Sequence, residues 1–201
     1  MPEPLPRDFD PIRRRNGPRI ESMGELRALL ADSEDLEALK ALAEGDPLNM
    51  LRRTQDWVAK NCYLLDLRSL AHAALTMVVA AGPTITGSED MDSWLDGTID
   101  IAAKGQLDQD VELARAGAPI EEPYEARFKL LMEVLHFTPD NVRTATVAAN
   151  GLPPGERHVF YHCFVLGKGF GRYEEEVGID AERARDLLLR AIDKMSDAVG
   201  D

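Results

Sequence analysis

The chain is poor in aromatic residues, poor in cysteine and short of positive charge. Phe, Tyr and Trp make up only 6% of its 201 residues. A core must therefore be assembled from Leu, Ala, Val and Met, which suits helices better than strands. The two cysteines, Cys62 and Cys163, lie far apart in apolar helical patterns. That excludes a disulfide-stapled framework and reads as free, buried thiols in a reducing compartment. No uninterrupted apolar run reaches the roughly 18 residues of a membrane span, and no leader pattern is seen. A soluble, cytoplasmic chain with no membrane partner is expected. The net charge of -13 sets phosphate and protein against each other, which disfavours broad nucleic-acid binding through charge.

What is present is helical punctuation. Residues 1–20 carry Pro2, Pro4, Pro6, Pro11 and Pro18 around Arg13-Arg14-Arg15, and read as a flexible, solvated arm. Ser22 and Glu25 form a capping-box pattern ahead of Leu26, Leu29 and Leu30, and Leu36, Leu39 and Leu42 continue the apolar stripe. Gly45-Asp46-Pro47 predicts a stop and a new start, with a helix over Pro47–Leu65 and another through Leu75. The loop Gly82–Gly87 and a Ser88-Glu89-Asp90 cap precede a helix over Met91–Leu113. Ala116–Pro123 is the best linker by composition, followed by a helix over Tyr124–Phe137 and another opened by Thr138-Pro139-Asp140. The expected fold is all-α: two small helical domains, 21–116 and 124–201, joined by a linker at 117–123.

The stretch Gly151–Ser196 is the most organised. Pro153 and Pro154 suit a first helical turn, and Val159, Phe160, Phe164 and Val165 share a face. Gly167 ends that helix. A short helix carrying Tyr173 and Val177 inward stops at Gly178, Asp180 caps the next, and Ala184, Leu187, Leu188, Ala191 and Ile192 form its apolar stripe. Two helices joined by a short Gly-bearing turn predict a helix-turn-helix.

Leu152-Pro153, Glu156-Arg157, Val159-Phe160, Val165, Gly167, Gly178-Ile179 and Arg190-Ala191 resemble region 4, the promoter-reading domain of bacterial sigma-70-family factors. The short, two-domain extracytoplasmic-function type is the most similar. Two positions depart from that pattern: Glu174 replaces a small Ala, and Arg183-Ala184 replaces Thr-Val at the start of the recognition helix. Further upstream, Ala43–Pro47 resembles the segment opening region 2. The resemblance implies docking on the RNA polymerase core through Asp66, Leu70, His72, Leu75 and Trp94, with His72 in place of the usual Gln. A plain amphipathic core helix fits residues 65–75 equally well. The resemblance also implies promoter-DNA contacts from Arg183, Arg185 and Arg190, with no cofactor and no small-molecule substrate.

Charge argues against ordinary promoter melting. The family's helix after Trp-Leu is arginine-rich, whereas residues 89–112 here hold eight carboxylates and one cation, Lys104. Residues 151–201 hold ten acidic and seven basic side chains, so DNA binding should be weak and salt-sensitive. An alternative follows: a sigma-like mimic that has lost DNA binding and acts on an anti-sigma factor or another regulator. An unrelated helical adaptor is the third reading.

Enzyme signatures are wanting. His158 and His162 stand at i and i+4 with Cys163 adjoining, a spacing compatible with a metal on a helix face. Val159, however, occupies the place where a metalloprotease carries Glu. They are read as histidines of an amphipathic helix, with no metal expected. Gly167-Lys168-Gly169-Phe170-Gly171 follows no strand and lacks phosphate-loop spacing. A non-enzyme is expected.

Overall fold

The computed structural model describes residues 19–121 and 124–200. The proline-rich arm and the Arg13–Arg15 run lie outside these, as do two linker positions. The described residues fold into ten α-helices with no strand: α1 Met23–Ala31, α2 Asp35–Gly45, α3 Met50–Asn61, α4 Leu67–Ala81, α5 Met91–Arg115, α6 Ala126–Leu135, α7 Val142–Asn150, α8 Pro154–Val159, α9 Phe170–Val177 and α10 Ala181–Val199. A 3-10 turn follows α4 at Gly82–Thr84, and α8 continues as a π-helical segment, Phe160–Val165. The all-α expectation holds. No helix among the described residues is long and apolar enough to cross a membrane.

The described residues form two compact units. The first comprises residues 19–57 and 67–106, and the second 58–66 and 107–200. The division falls inside α3 and α5 rather than at residues 117–123. Composition picks out linkers, whereas compactness depends on which helices share a core, and here the short segment 58–66 belongs with the C-terminal helices.

In the first unit the caps work with small changes of register. Ser22 Oγ accepts from the Glu25 amide at 3.2 Å, while the Glu25 carboxylate accepts from the amide of Glu21 instead of Ser22. Asp46 accepts from the Met50 amide at 2.5 Å, so it does cap α3. The helix nevertheless begins three residues later than Pro47, because Asp46 and Asn49 both take left-handed backbone and place Pro47 in the turn. Leu26, Leu42, Leu70, Val78, Leu95 and Ile99 are fully buried, as the 3.6-residue period of the sequence predicts.

In the second unit α3 ends at Asn61 rather than at Leu65. Cys62 adopts φ 58°, a left-handed conformation that costs a non-glycine residue about 1–2 kcal/mol. Residues 63–66 then belong to no regular element. The Leu64 backbone is held by the Asn150 side chain, which accepts from its N–H at 2.7 Å and donates to its C=O at 3.1 Å. Arg127 also donates to that carbonyl, at 3.2 Å. Arg127 is buried and pairs in two-pronged fashion with the equally buried Asp110 of α5. A single asparagine and one arginine thus do for Leu64 what a neighbouring strand would do.

Candidate functional site

The C-terminal helices assemble as a layer. Helix α10 packs on α7, α8 and α9. Val159, Tyr173 and Ala184 form its buried kernel, with Cys163, Phe170, Ile179, Leu187 and Leu188 packed around it. Helix α9 stops at Gly178, whose φ of 75° is the left-handed turn that glycine adopts without strain. Three residues separate α9 from α10. Asp180 caps α10, its carboxylate accepting from the amides of Glu182 at 2.9 Å and Arg183 at 3.1 Å. Ala184 and Ala191 are buried and Met195 completes the stripe. Val177, expected inward, is exposed because the helix ends there.

Glu156 and Arg157, prominent in the sequence pattern, have architectural tasks. The buried Glu156 carboxylate holds Lys194 of α10 at 2.7 and 2.9 Å. Arg157 donates to the carbonyls of Asn61, Asn150 and Leu152 at 3.2–3.3 Å, and lies 4.3 Å from the centre of the Tyr63 ring. Neither side chain is left over for a ligand.

The candidate DNA contacts Arg183, Arg185 and Arg190 are all exposed on α10. Arg185 leans over the Phe170 ring at 5.9 Å, and these two residues line a shallow groove with Ala181 and Glu182. Glu182, Asp186 and Asp193 are exposed among the arginines, so the surface of α10 alternates in sign.

The candidate docking residues are only partly brought together. Leu70 is fully buried and Leu75 is 5% exposed; they build the core of the first unit, and Leu70 has no surface to give a partner. His72 is exposed, and with Asp46, Met50, Arg68 and Leu75 it lines a shallow groove. Trp94 is half-buried in α5, and Asp66 belongs to the second unit. Here the amphipathic core helix describes residues 67–81.

The acidic face read from residues 89–112 is less uniform than its charge count. Asp90 caps α5 by accepting from the Ser93 amide, and Glu89 accepts from the amides of Thr86 and Gly87. Asp92 and Asp96 pair with Arg53, Asp100 with Lys104, and Glu112 with Arg115. Asp110 faces the interior. Most of these carboxylates have a local cation or amide, and the reversed-charge surface shrinks accordingly.

A further constellation was hidden from sequence spacing. The left-handed turn after α3 carries the buried Cys62 to His158 and His162, and the ligand atoms of all three lie within 4.8 Å of one another. The imidazoles are 4.2 Å apart, centre to centre. Tyr173 of α9 fixes one of them, its hydroxyl lying 2.7 Å from His158 Nδ1. Nδ1 of His162 is buried and makes no hydrogen bond, a deficit of about 1–3 kcal/mol. Burial, helped by the positive charge of Lys168, pushes both histidines below their ordinary value, His162 to about 4. The sequence pointed to Cys163 as the thiol beside these rings, but it is Cys62, some hundred residues away, that joins them. Only an αL cysteine at the end of a helix, where glycine or asparagine is usual, could have hinted at it.

No protein-family model, no curated protein and no solved structure matches this chain.

Proposed function

We propose that the chain is a sigma-70-like regulator of transcription initiation that works through its C-terminal helix pair. The observation that carries this reading is the α9–Gly178–α10 arrangement: two helices, a three-residue turn with a left-handed glycine, and a second helix presenting Arg183, Arg185 and Arg190 outward. Such a helix can lie in a major groove with its N-terminal residues at the base edges. RNA polymerase core is the protein partner under this reading, met through the His72 groove and Trp94. No cofactor enters it.

The alternation of charge on α10 favours a second reading, in which the same scaffold binds protein and no longer DNA. Each phosphate contact contributes through counterion release, and a carboxylate beside each arginine offsets it. Three arginine contacts limit the dependence of log K on log salt to a slope of about -3.

A mobility-shift titration of the full chain with promoter DNA, with and without purified core polymerase, separates the two. A shift that requires core, falls with salt at that slope and is lost in an Arg183→Ala, Arg190→Ala double variant supports initiation. Binding to core or to an anti-sigma factor with no DNA retention supports the protein-only regulator. Absence of binding to DNA, core polymerase and anti-sigma factors overturns both.

A further inference from the structure

We propose that Cys62, His158 and His162 form a binding site for one divalent transition-metal ion, zinc being the ion their donor set selects. The inference is independent of the transcriptional reading, since it rests on one cluster of side chains in the second unit. A tetrahedral zinc with bonds of about 2.0–2.1 Å to nitrogen and 2.3 Å to sulfur holds its ligand atoms about 3.4–3.6 Å apart. Donors already within 4.8 Å of one another need to close by at most about 1.4 Å, which side-chain rotation supplies without moving a helix.

The chemistry of the donors is selective. One thiolate with two imidazoles is a borderline-soft set that suits zinc and its neighbours, and offers nothing to calcium or magnesium, which require carboxylate or carbonyl oxygens. Cys62 would bind as its thiolate, its proton passing to solvent as the ion takes its place. His162 brings a buried nitrogen that makes no hydrogen bond.

The surroundings are those of a held ligand. The Tyr173 hydroxyl beside His158 Nδ1 fixes the ring and leaves Nε2 for the ion, the outer-shell contact that metal-bound histidines commonly make. Both rings are half-buried, so an ion can reach them from solvent. Cys62 is held in a left-handed turn that a cysteine does not adopt by preference, and the turn is what delivers its sulfur to the rings. Three protein ligands leave the fourth position to water or to an outside ligand.

The occupied site would join the end of α3 to α8 and, through Tyr173, to α9. Binding would therefore add to the stability of the layer that carries α10.

The test uses the full chain, stripped of metal by a chelator and titrated with cobalt(II). We expect a thiolate-to-cobalt charge-transfer band in the near ultraviolet that saturates at one equivalent and is displaced by zinc. The band should vanish in Cys62→Ser and persist in Cys163→Ser. Affinity should fall about a hundredfold in His162→Gln and about tenfold in Tyr173→Phe. Zinc should raise the melting temperature of the wild type and leave that of Cys62→Ser unmoved. Circular dichroism of the metal-free proteins establishes that each variant keeps its helices. Should Cys62→Ser lose them, His162→Gln takes its place, and an unchanged affinity there overturns the site. A wild-type titration without the band, or a band that survives Cys62→Ser, also overturns it.

Discussion

The two compact units use different interiors. The first is filled by aliphatic side chains: among the described residues no aromatic ring there is buried, and its one buried polar side chain is Thr54, bonded to the carbonyl of Leu51 in its own helix. The second buries Phe128, Phe137, Phe160, Tyr161 and Tyr173, and with them Asp110, Arg127, Thr146, Asn150 and Glu156. An aliphatic core is non-directional and tolerates variation in detail. A polar interior is directional, and each of its groups fails separately if its partner is removed. The unit that carries the arginines of α10 and the Cys62 cluster is therefore the one whose geometry is most tightly specified.

The sharpest way to break this comparison is to remove one buried charge. Asp110→Ala leaves the Arg127 guanidinium inside without its two-pronged acceptor, and Arg143, 3.5 Å from the same carboxylate, loses it as well. The expected loss is toward the lower end of about 3–5 kcal/mol in chemical denaturation, because the buried Arg127 then keeps only the half-buried Glu125 carboxylate, 2.6 Å from its Nε. The neighbouring exposed Asp108→Ala should stay within about 0.5 kcal/mol. Equal effects at the two positions would mean that Arg127 is solvated and the polar interior does not exist.

The first unit should answer differently. Leu70→Ala removes a fully buried side chain and should cost about 2–5 kcal/mol, while Leu70→Met should cost less than about 1.5 kcal/mol. Leu36→Ala, at a position 77% exposed, should change stability by under about 0.5 kcal/mol. Thermal melts of the three variants measure the tolerance that sets this core apart. A Leu70→Met loss as large as that of Leu70→Ala would show that this interior is as specific as the other.

Asn150 probes the polar interior at smaller amplitude. Its amide makes both hydrogen bonds to the Leu64 backbone, so Asn150→Ala leaves a buried N–H without its partner and should cost about 1–3 kcal/mol. Amide hydrogen exchange at Leu64 reports the effect locally: protection there should fall while that of the α10 interior persists at its global value.

The same contrast explains what the sequence disclosed. Leu26, Leu42 and Ile99 were legible as core because helical periodicity is a local signal. The Gly178 turn and the Asp180 cap were legible because each depends on residues within four positions of it. Asp110 was not: it stands in a run of carboxylates and reads as surface until Arg127 and Arg143 are seen beside it. Asn150 and Leu64 are 86 positions apart, and nothing in either neighbourhood announces their pairing. The Cys62 cluster was missed for the same reason. Its histidines share a helical face, but the thiol arrives through a backbone turn that no propensity favours for cysteine. Leu70 and Leu75 illustrate the converse error, since a family resemblance placed at the surface two residues that periodicity alone puts inside.

The smallest expected effect lies at the rim of the first unit, where polar groups serve as caps on exposed loops. Glu89 accepts from the Thr86 amide at 3.1 Å and from the Gly87 amide at 2.9 Å, and these bonds, the Thr86 one foremost, lower its carboxyl from the ordinary 4.5 to about 2. A carboxyl depressed on folding contributes stability that is complete above its unfolded value and is lost as pH falls toward the folded one. The wild type should therefore lose stability between about pH 4.5 and about pH 2 more steeply than Glu89→Gln, which has no proton to bind there. Melting temperatures of both proteins across that window give the difference directly, and because the other carboxylates titrate in both, the difference isolates Glu89. Parallel curves would mean that the loop hydrogen bonds are lost to water in solution. Because the group is exposed, the separation should be far smaller than the loss from Asp110→Ala, and added salt should narrow it.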